Sequence, residues 1–337
     1  MTHTIKRLFV AKRLKSTFIN SYNLQKQYMD VVVVGSGLVG SLCAVALGKR
    51  GYQVKLMEKR PPFDKVKQES RSINLALSTR GLTALEPYLN VDQKIPMFGR
   101  CIHPQMQVQP YSPFNKAIYS VDRKGLNDLL LKELVTMPNV QVLFNHTLKK
   151  CDFETGLATF EHDGSLVEYK SDFIVGCDGA YSSLRSLMMR RTVMNFSQYY
   201  IDHLYAEINV LPKHSEFAWD PNCLHIWPKH EYMLIALPNQ DKSFTATLFM
   251  DKSRFDQLNT KEDVISFFNS NFKDFIDTVG PKQVCDELLN NPRSSLLSVK
   301  CDPFNFKKGV IIGDAAHAMV PFYGNNYSYR SRIELWI

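Results

Sequence analysis

The chain has no C-x-x-C pair, and its seven cysteines (Cys43, Cys101, Cys151, Cys177, Cys223, Cys285 and Cys301) are dispersed and odd in number. That spacing excludes a disulfide framework, argues against a zinc site and points to a reducing compartment. No internal repeat, low-complexity tract or long glycine-serine linker interrupts the sequence, which excludes a solenoid or flexibly tethered modules. Residues 1–28 contain no acid, but they hold Lys6, Arg7, Lys12, Arg13, Lys15 and Lys26. These six account for most of the net charge of +8, leaving +2 over the other 309 residues, so the body carries no nucleic-acid footprint. A long apolar run is also lacking. Residues 31–48 are uncharged and follow a basic leader, yet a membrane span needs about 20 apolar residues and a secretory h-region lacks this glycine spacing. With 337 residues and 45% hydrophobic content, the chain is long enough for two domains with sizeable cores.

The leader, residues 1–28, has Ser16, Thr17 and Ser21, and a helix would gather Leu8, Phe9 and Leu14. Those are features of a mitochondrial presequence; the other reading is an artefactual or disordered extension upstream of Met29, itself a natural start.

What is present in force is a set of glycine and aspartate motifs. Val31 to Val34 read as a strand buried on both faces, followed by Gly35-Ser36-Gly37-Leu38-Val39-Gly40 and a helix to Lys49. Gly35 allows a tight turn, Gly37 lets the backbone approach a pyrophosphate, and Gly40 lets helix and strand lie close. A second strand, Gln53 to Met57, ends in Glu58, at about the spacing of 20 residues expected for a ribose-binding carboxylate. Together they predict a dinucleotide-binding βαβ unit.

Further along, helices are expected over Gly81 to Leu89 and Asp122 to Met137, with Asp122 as N-cap, and strands over Val140 to Phe144, Leu148 to Phe160, Ser165 to Tyr169 and Asp172 to Val175. The last strand leads into Gly176-Cys177-Asp178-Gly179-Ala180. From residue 197 the pattern changes to strands with little helix: Tyr199 to Val210, Leu224 to Trp227, Tyr232 to Leu237 and Phe244 to Met250. Helices return at Lys261 to Phe268 and Pro281 to Leu289, and a strand from Val310 to Ile312 delivers Gly313-Asp314-Ala315-Ala316-His317-Ala318.

Three such motifs in this order, followed by Pro321, resemble the aromatic-hydroxylase class of flavin monooxygenases. Arg71 to Ser78, Ile174 to Ser182, Leu224 to Pro228 and His317 to Gly324 closely resemble the kynurenine-hydroxylating branch of that class, and the likeness runs from Asp30 to Gly324. The fold so implied is α/β, with a Rossmann-like FAD-binding domain of the GR2 type and an inserted antiparallel-sheet substrate domain. The boundaries expected are 1–28 for the leader, 29–196 for the first part of the FAD domain, 197–300 for the substrate domain, 301–324 for the returning FAD segment and 325–337 for an aberrant tail.

The resemblance implies hydroxylation of L-kynurenine with FAD, NADPH and O2. The oxygen chemistry belongs to the flavin, so no protein nucleophile or metal is required. It assigns Gly35, Gly37, Val39, Gly40, Met57, Glu58, Lys59, Arg60, Ala76, Arg123, Leu148, Asp178, Gly313 and Asp314 to FAD. Asp178 could also cap the helix starting near Ser182, and Asp314 could bond the ribityl chain, cap a following helix, or both. Gly313 to Gly324 would aim a helix N-terminus at the flavin pyrimidine edge. His317 fits a cofactor-supporting turn better than a general base. Arg100 and Tyr111 align with residues that bind the amino-acid carboxylate, the alternatives being a surface arginine and a core tyrosine. Phe322 and Tyr323 could form an aromatic wall over the ring or belong to the core.

After Gly324 the pattern departs. The class continues with a turn, a long helix and a C-terminal region that completes the pocket and anchors the protein to the outer mitochondrial membrane, whereas residues 325–337 here are polar and aromatic. On this reading the chain is truncated, soluble and a poor hydroxylase. Two other readings stay open, a flavoprotein reductase or oxidase on the same scaffold and a non-catalytic FAD-binding remnant.

Overall fold

The computed structural model describes residues 29–62, 74–114 and 116–320. The arginine-led motif at residues 71–73, the leader, and Phe322, Tyr323 and the tail lie outside the described residues.

Strand Asp30–Val34 lies near the middle of a six-stranded sheet, because four consecutive β-branched residues resist a helix and find apolar layers on both sides. It pairs in parallel with Gln53–Met57 on one side and Phe173–Gly176 on the other, with Val34 opposite both Met57 and Gly176. Val140–Leu143 and Gly309–Ile311 extend the sheet outward in parallel, and Asn305–Phe306 closes one edge antiparallel. The connections leave the central strand to opposite sides, which opens a crevice at the carboxyl ends.

Strand alternation splits the core. Val31 and Val33 pack with helices Leu38–Lys49 and Arg123–Val135, while Val32 and Val34 pack with Leu148, Phe160, Leu184 and Met188. Those last four come from a three-stranded meander (Thr147–Asp152, Leu157–His162, Ser165–Lys170) and helix Ser183–Met189. Asp122 caps Arg123–Val135, accepting from the Lys124 and Gly125 N–H groups, and Leu126, Leu130 and Leu134 form its buried stripe. The helix expected from Gly81 to Leu89 runs instead over Thr79–Leu85, because Ser78 caps it and Pro87 follows its end.

The second layer system is a seven-stranded sheet in the order Ser294–Asp302, Asn195–Val210, Phe244–Asp251, Met233–Pro238, Cys223–Pro228, Gly99–Ile102, Gln107–Pro110. Helices Lys261–Asn271, Lys273–Val279 and Pro281–Asn290 supply Phe268, Phe275 and Leu288 to a core shared with Phe244 and Trp227 of the sheet. Further features differ from the sequence reading. Helix Lys273–Val279 and strand Ser294–Asp302 are additional, and residues 99–110, expected within the nucleotide-binding part, supply the last two strands at one side of this sheet. Gly99–Ile102 joins Cys223–Pro228 in parallel, and a parallel pair between distant segments leaves no hairpin signature in sequence.

Candidate cofactor and substrate site

Three loops meet at the carboxyl edge of the parallel sheet, one after each of Asp30–Val34, Phe173–Gly176 and Gly309–Ile311. Gly35 has φ +99°, and its N–H donates to the Met57 carbonyl at 2.7 Å. A Cβ on Gly35 would stand 2.6 Å from the Cys177 carbonyl oxygen, and one on Gly40 would stand 1.8 Å from the Gly35 carbonyl oxygen. Both glycines serve the packing of the chain against itself. Gly37 does not: it is the extended N-cap of helix Leu38–Lys49, and a Cβ there would meet nothing within 4 Å. That helix end has no side-chain cap, so its first N–H groups face open space. The result is a cradle for an anion, which suits the FAD diphosphate. Val39 reaches across to the third loop, its side chain 3.0 Å from where a Gly313 Cβ would lie.

Glu58 is 3% exposed and fully used by the chain. One carboxylate oxygen accepts from the Ser36 N–H at 2.9 Å and the Ser36 hydroxyl at 2.8 Å, and the other accepts from the Arg60 N–H and Nε at 3.0 and 2.9 Å. Burial alone would push the carboxyl up, but the hydrogen bonds from Arg60 and Ser36 outweigh it and bring the pKa down to about 2. Arg60, with a side chain 52% exposed, is the partner a ribose hydroxyl would most easily displace. Met57 and Leu148 are buried beneath the loop, and Lys59 is exposed. Ala76 lies farther along, on Leu75–Leu77 opposite Ser120, and Arg123 is exposed at the first position of its capped helix.

Asp178 performs the capping role. One oxygen accepts from the Ser183 and Leu184 N–H groups at 2.7 and 3.1 Å, beside the Ser182 cap itself. Its other oxygen is buried without a protein partner, which leaves an acceptor for a ligand hydroxyl. Gly313 has φ +63° and opens a 3-10 turn, Gly313–Ala315, that includes Asp314. His317 closes this turn: its Nδ1 lies 2.8 Å from the Gly313 carbonyl, so that nitrogen donates and holds the loop. The expected α-helix after Gly313 does not form among the described residues, where the turn takes its place.

Three positioning residues were not legible in the motifs. Arg185, 3% exposed, donates from Nη1 to the Ala315 carbonyl at 2.7 Å and from Nη2 to the Ala180 carbonyl at 2.6 Å, tying the second loop to the third. Asn127 donates to the Ser36 carbonyl at 3.2 Å from helix Arg123–Val135. Ser36, read only as a spacer, holds Glu58. Only the arginine carried a signal, a charge at the third position of a short apolar helix.

Arg100 and Tyr111 form their own pair on the seven-stranded sheet. The Arg100 guanidinium carbon lies 4.8 Å from the Tyr111 ring centroid, while the Tyr111 N–H donates to the Phe98 carbonyl at 3.0 Å. The Tyr111 hydroxyl is shielded from solvent and makes no well-formed hydrogen bond, the Arg100 guanidinium being the polar group that pulls on it. Burial pushes its pKa up to about 12, against the pull of the Arg100 charge. A neutral phenol and an exposed guanidinium thus stand side by side, two donors fitted to one carboxylate.

A family model described as FAD binding domain matches residues 28–328. The chain is 42% identical over 308 residues to kynurenine 3-monooxygenase of Sus scrofa, covering 88% of this chain and 65% of that protein. It is 41% identical over 323 residues to the Drosophila willistoni protein of the same name, covering 92% and 71%, and 42% identical over 319 residues to the Candida albicans one, covering 89% and 70%. The chain thus spans about two thirds of the length of these curated relatives. Among solved structures, 2-methyl-3-hydroxypyridine-5-carboxylic acid oxygenase shares the fold at TM-score 0.70 and 17% identity, covering 90% of this chain and 80% of that one. Pseudomonas putida p-nitrophenol 4-monooxygenase PnpA does so at 0.67 and 17%, covering 88% and 75%. A family model spanning most of the chain and relatives above 40% identity agree: the chain belongs to the kynurenine 3-monooxygenase family of FAD-binding aromatic hydroxylases.

Proposed function

We propose that this chain carries the flavin and substrate sites of an FAD- and NADPH-dependent monooxygenase that converts L-kynurenine to 3-hydroxy-L-kynurenine. Within the geometry, the observation that carries the reading is the Arg100–Tyr111 pair, because a shielded phenol with no well-formed hydrogen bond beside an exposed guanidinium is suited to the amino-acid carboxylate of the substrate. The names of the relatives supply the substrate. FAD, held by the Gly37 helix end, Glu58 and Asp178, would supply the redox chemistry that links NADPH and O2 to hydroxylation of the aminophenyl ring.

The work of the protein is then binding and orientation. The open helix end at Gly37 takes the diphosphate, and Glu58 takes the adenosine ribose in exchange for Arg60. Asp178 has an acceptor left for the cofactor after capping its helix. Arg185 fixes the second and third loops relative to each other, and His317 donates to the Gly313 carbonyl and so supports the third loop. By resemblance to the family, the reaction would serve tryptophan degradation and pyridine nucleotide synthesis, at the mitochondrial outer membrane. No helix among the described residues is long and apolar enough to cross a membrane.

The test is incubation of purified chain with FAD, NADPH, O2 and kynurenine, followed by mass spectrometry for a product heavier by one oxygen. NADPH oxidation that ignores kynurenine, with no hydroxylated product, would assign the chain to a reductase or oxidase instead.

A further inference from the structure

Cys101, His103 and His225 are buried together on the seven-stranded sheet, apart from the flavin loops. Cys101 and His103 lie two residues apart along strand Gly99–Ile102 and its continuation, and Cys101 stands directly opposite His225 in the parallel pair. The Cys101 sulfur and one nitrogen from each imidazole all lie within 4.8 Å of one another.

The hydrogen bonds determine where the ring protons are. His103 Nδ1 lies 2.8 Å from an Asp274 carboxylate oxygen, and His225 Nε2 lies 2.8 Å from the Asp220 carbonyl oxygen. Both partners accept, so these outer nitrogens carry the protons. The inner nitrogens, His103 Nε2 and His225 Nδ1, therefore turn lone pairs toward each other at 3.0 Å when both rings are neutral. Two facing lone pairs need a cation to share, either a proton or a metal. A proton between the two nitrogens leaves the Cys101 sulfur unused, whereas a metal can take all three atoms, which already lie within 4.8 Å of one another. The rings cannot easily turn away. Trp227 stacks on His103 with centroids 3.8 Å apart and donates from Nε1 to Asp274 at 2.7 Å.

A carboxylate on one ring and a carbonyl on the other are the outer partners that orient metal-binding histidines. We propose that Cys101 Sγ, His103 Nε2 and His225 Nδ1 form a Zn2+ site, with water in the fourth position. Ideal Zn–N distances of about 2.0–2.1 Å and a Zn–S distance of about 2.3 Å place tetrahedral ligand atoms roughly 3.3–3.6 Å apart. The two nitrogens must then separate by about 0.3 Å and the sulfur close on them, movements within side-chain reach. Zn2+ displaces the Cys101 thiol proton to solvent, and Asp274 balances the remaining positive charge. The site would clamp strand Gly99–Ile102, which carries Arg100, onto Cys223–Pro228. The dispersed cysteines gave no hint of it, because the ligands meet only through a parallel pairing of distant segments.

The full chain, loaded with FAD and dialysed against a chelator, is titrated with Zn2+ against a competing indicator and then measured by X-ray absorption at the zinc edge. The expected result is about one tightly held Zn2+ per chain, with one sulfur at about 2.3 Å and nitrogen or oxygen at about 2.0 Å. Cys101→Ser should lose the sulfur shell and weaken binding at least tenfold, while Cys223→Ser should keep both. The proposal fails if the unmodified chain takes up no stoichiometric Zn2+, if its zinc shell holds no sulfur, or if Cys223→Ser rather than Cys101→Ser removes it. The spectrum of the unmodified chain decides even where a variant does not fold.

Discussion

Gly37→Val separates a glycine kept for the ligand from glycines kept for the fold. The residue is extended, with φ −69° and ψ 178°, a conformation open to any side chain, and nothing of the protein lies within 4 Å of its missing Cβ. Valine is therefore tolerated by the apoprotein at a cost under about 1 kcal/mol, chiefly from a poorer N-cap. The same side chain occupies the space in which the diphosphate meets the helix end. Losing one charged hydrogen bond costs about 1.5–3 kcal/mol, and moving the anion off the helix end about 0.3–1 kcal/mol more. The sum predicts FAD binding weaker by roughly 20- to 700-fold. Fluorescence quenching of FAD on titration with apoprotein reads the affinity, and thermal denaturation of the apoprotein reads the fold. Gly40→Ala is the contrast, since its Cβ would stand 1.8 Å from the Gly35 carbonyl oxygen and should unfold the loop. If Gly37→Val binds FAD within threefold of the parent at an unchanged melting temperature, the cradle has been assigned to the wrong place.

Arg185→Ala should leave the Ala180 and Ala315 carbonyls without their donor and lower stability by about 3 kcal/mol or more in urea denaturation. Glu58 has a folded pKa of about 2 against an ordinary 4.5, so its contribution is complete above pH 4.5 and is lost as pH falls toward 2. The stability difference between the parent and Glu58→Gln should accordingly narrow by about 3 kcal/mol between pH 7 and pH 2; a difference independent of pH would remove the ionised carboxylate from the account. In a form that binds kynurenine, Arg100→Ala should weaken that binding by about 1.5–3 kcal/mol with flavin affinity unchanged, as followed by calorimetry. Tyr111→Phe should weaken kynurenine binding about tenfold with little effect on apoprotein stability, because its hydroxyl makes no well-formed hydrogen bond in the chain.

Local chemistry made the nucleotide half readable. The valine run, the glycine spacing and Glu58 describe one βαβ unit whose parts are neighbours in sequence, and strand Asp30–Val34, helix Leu38–Lys49 and strand Gln53–Met57 stand where that pattern puts them. The capping roles of Asp122 and Asp178 were equally legible, since a cap lies within a few residues of the N–H groups it satisfies. What escaped was long-range. Residues 99–110 cross to the second sheet through a parallel pairing with Cys223–Pro228, and Arg185 acts on a carbonyl at Ala315, 130 residues away. Neither pairing has a periodic or turn signature. The buried Cys101–His103–His225 group was hidden for the same reason.

The most direct test of the central claim is the yield of 3-hydroxykynurenine per NADPH consumed, by the purified chain saturated with FAD and supplied with kynurenine and O2. The account predicts hydroxylated product that depends on kynurenine and falls with Arg100→Ala while bound flavin stays constant. A chain that binds FAD and oxidises NADPH at the same rate with or without kynurenine, forming no hydroxylated product, would contradict it.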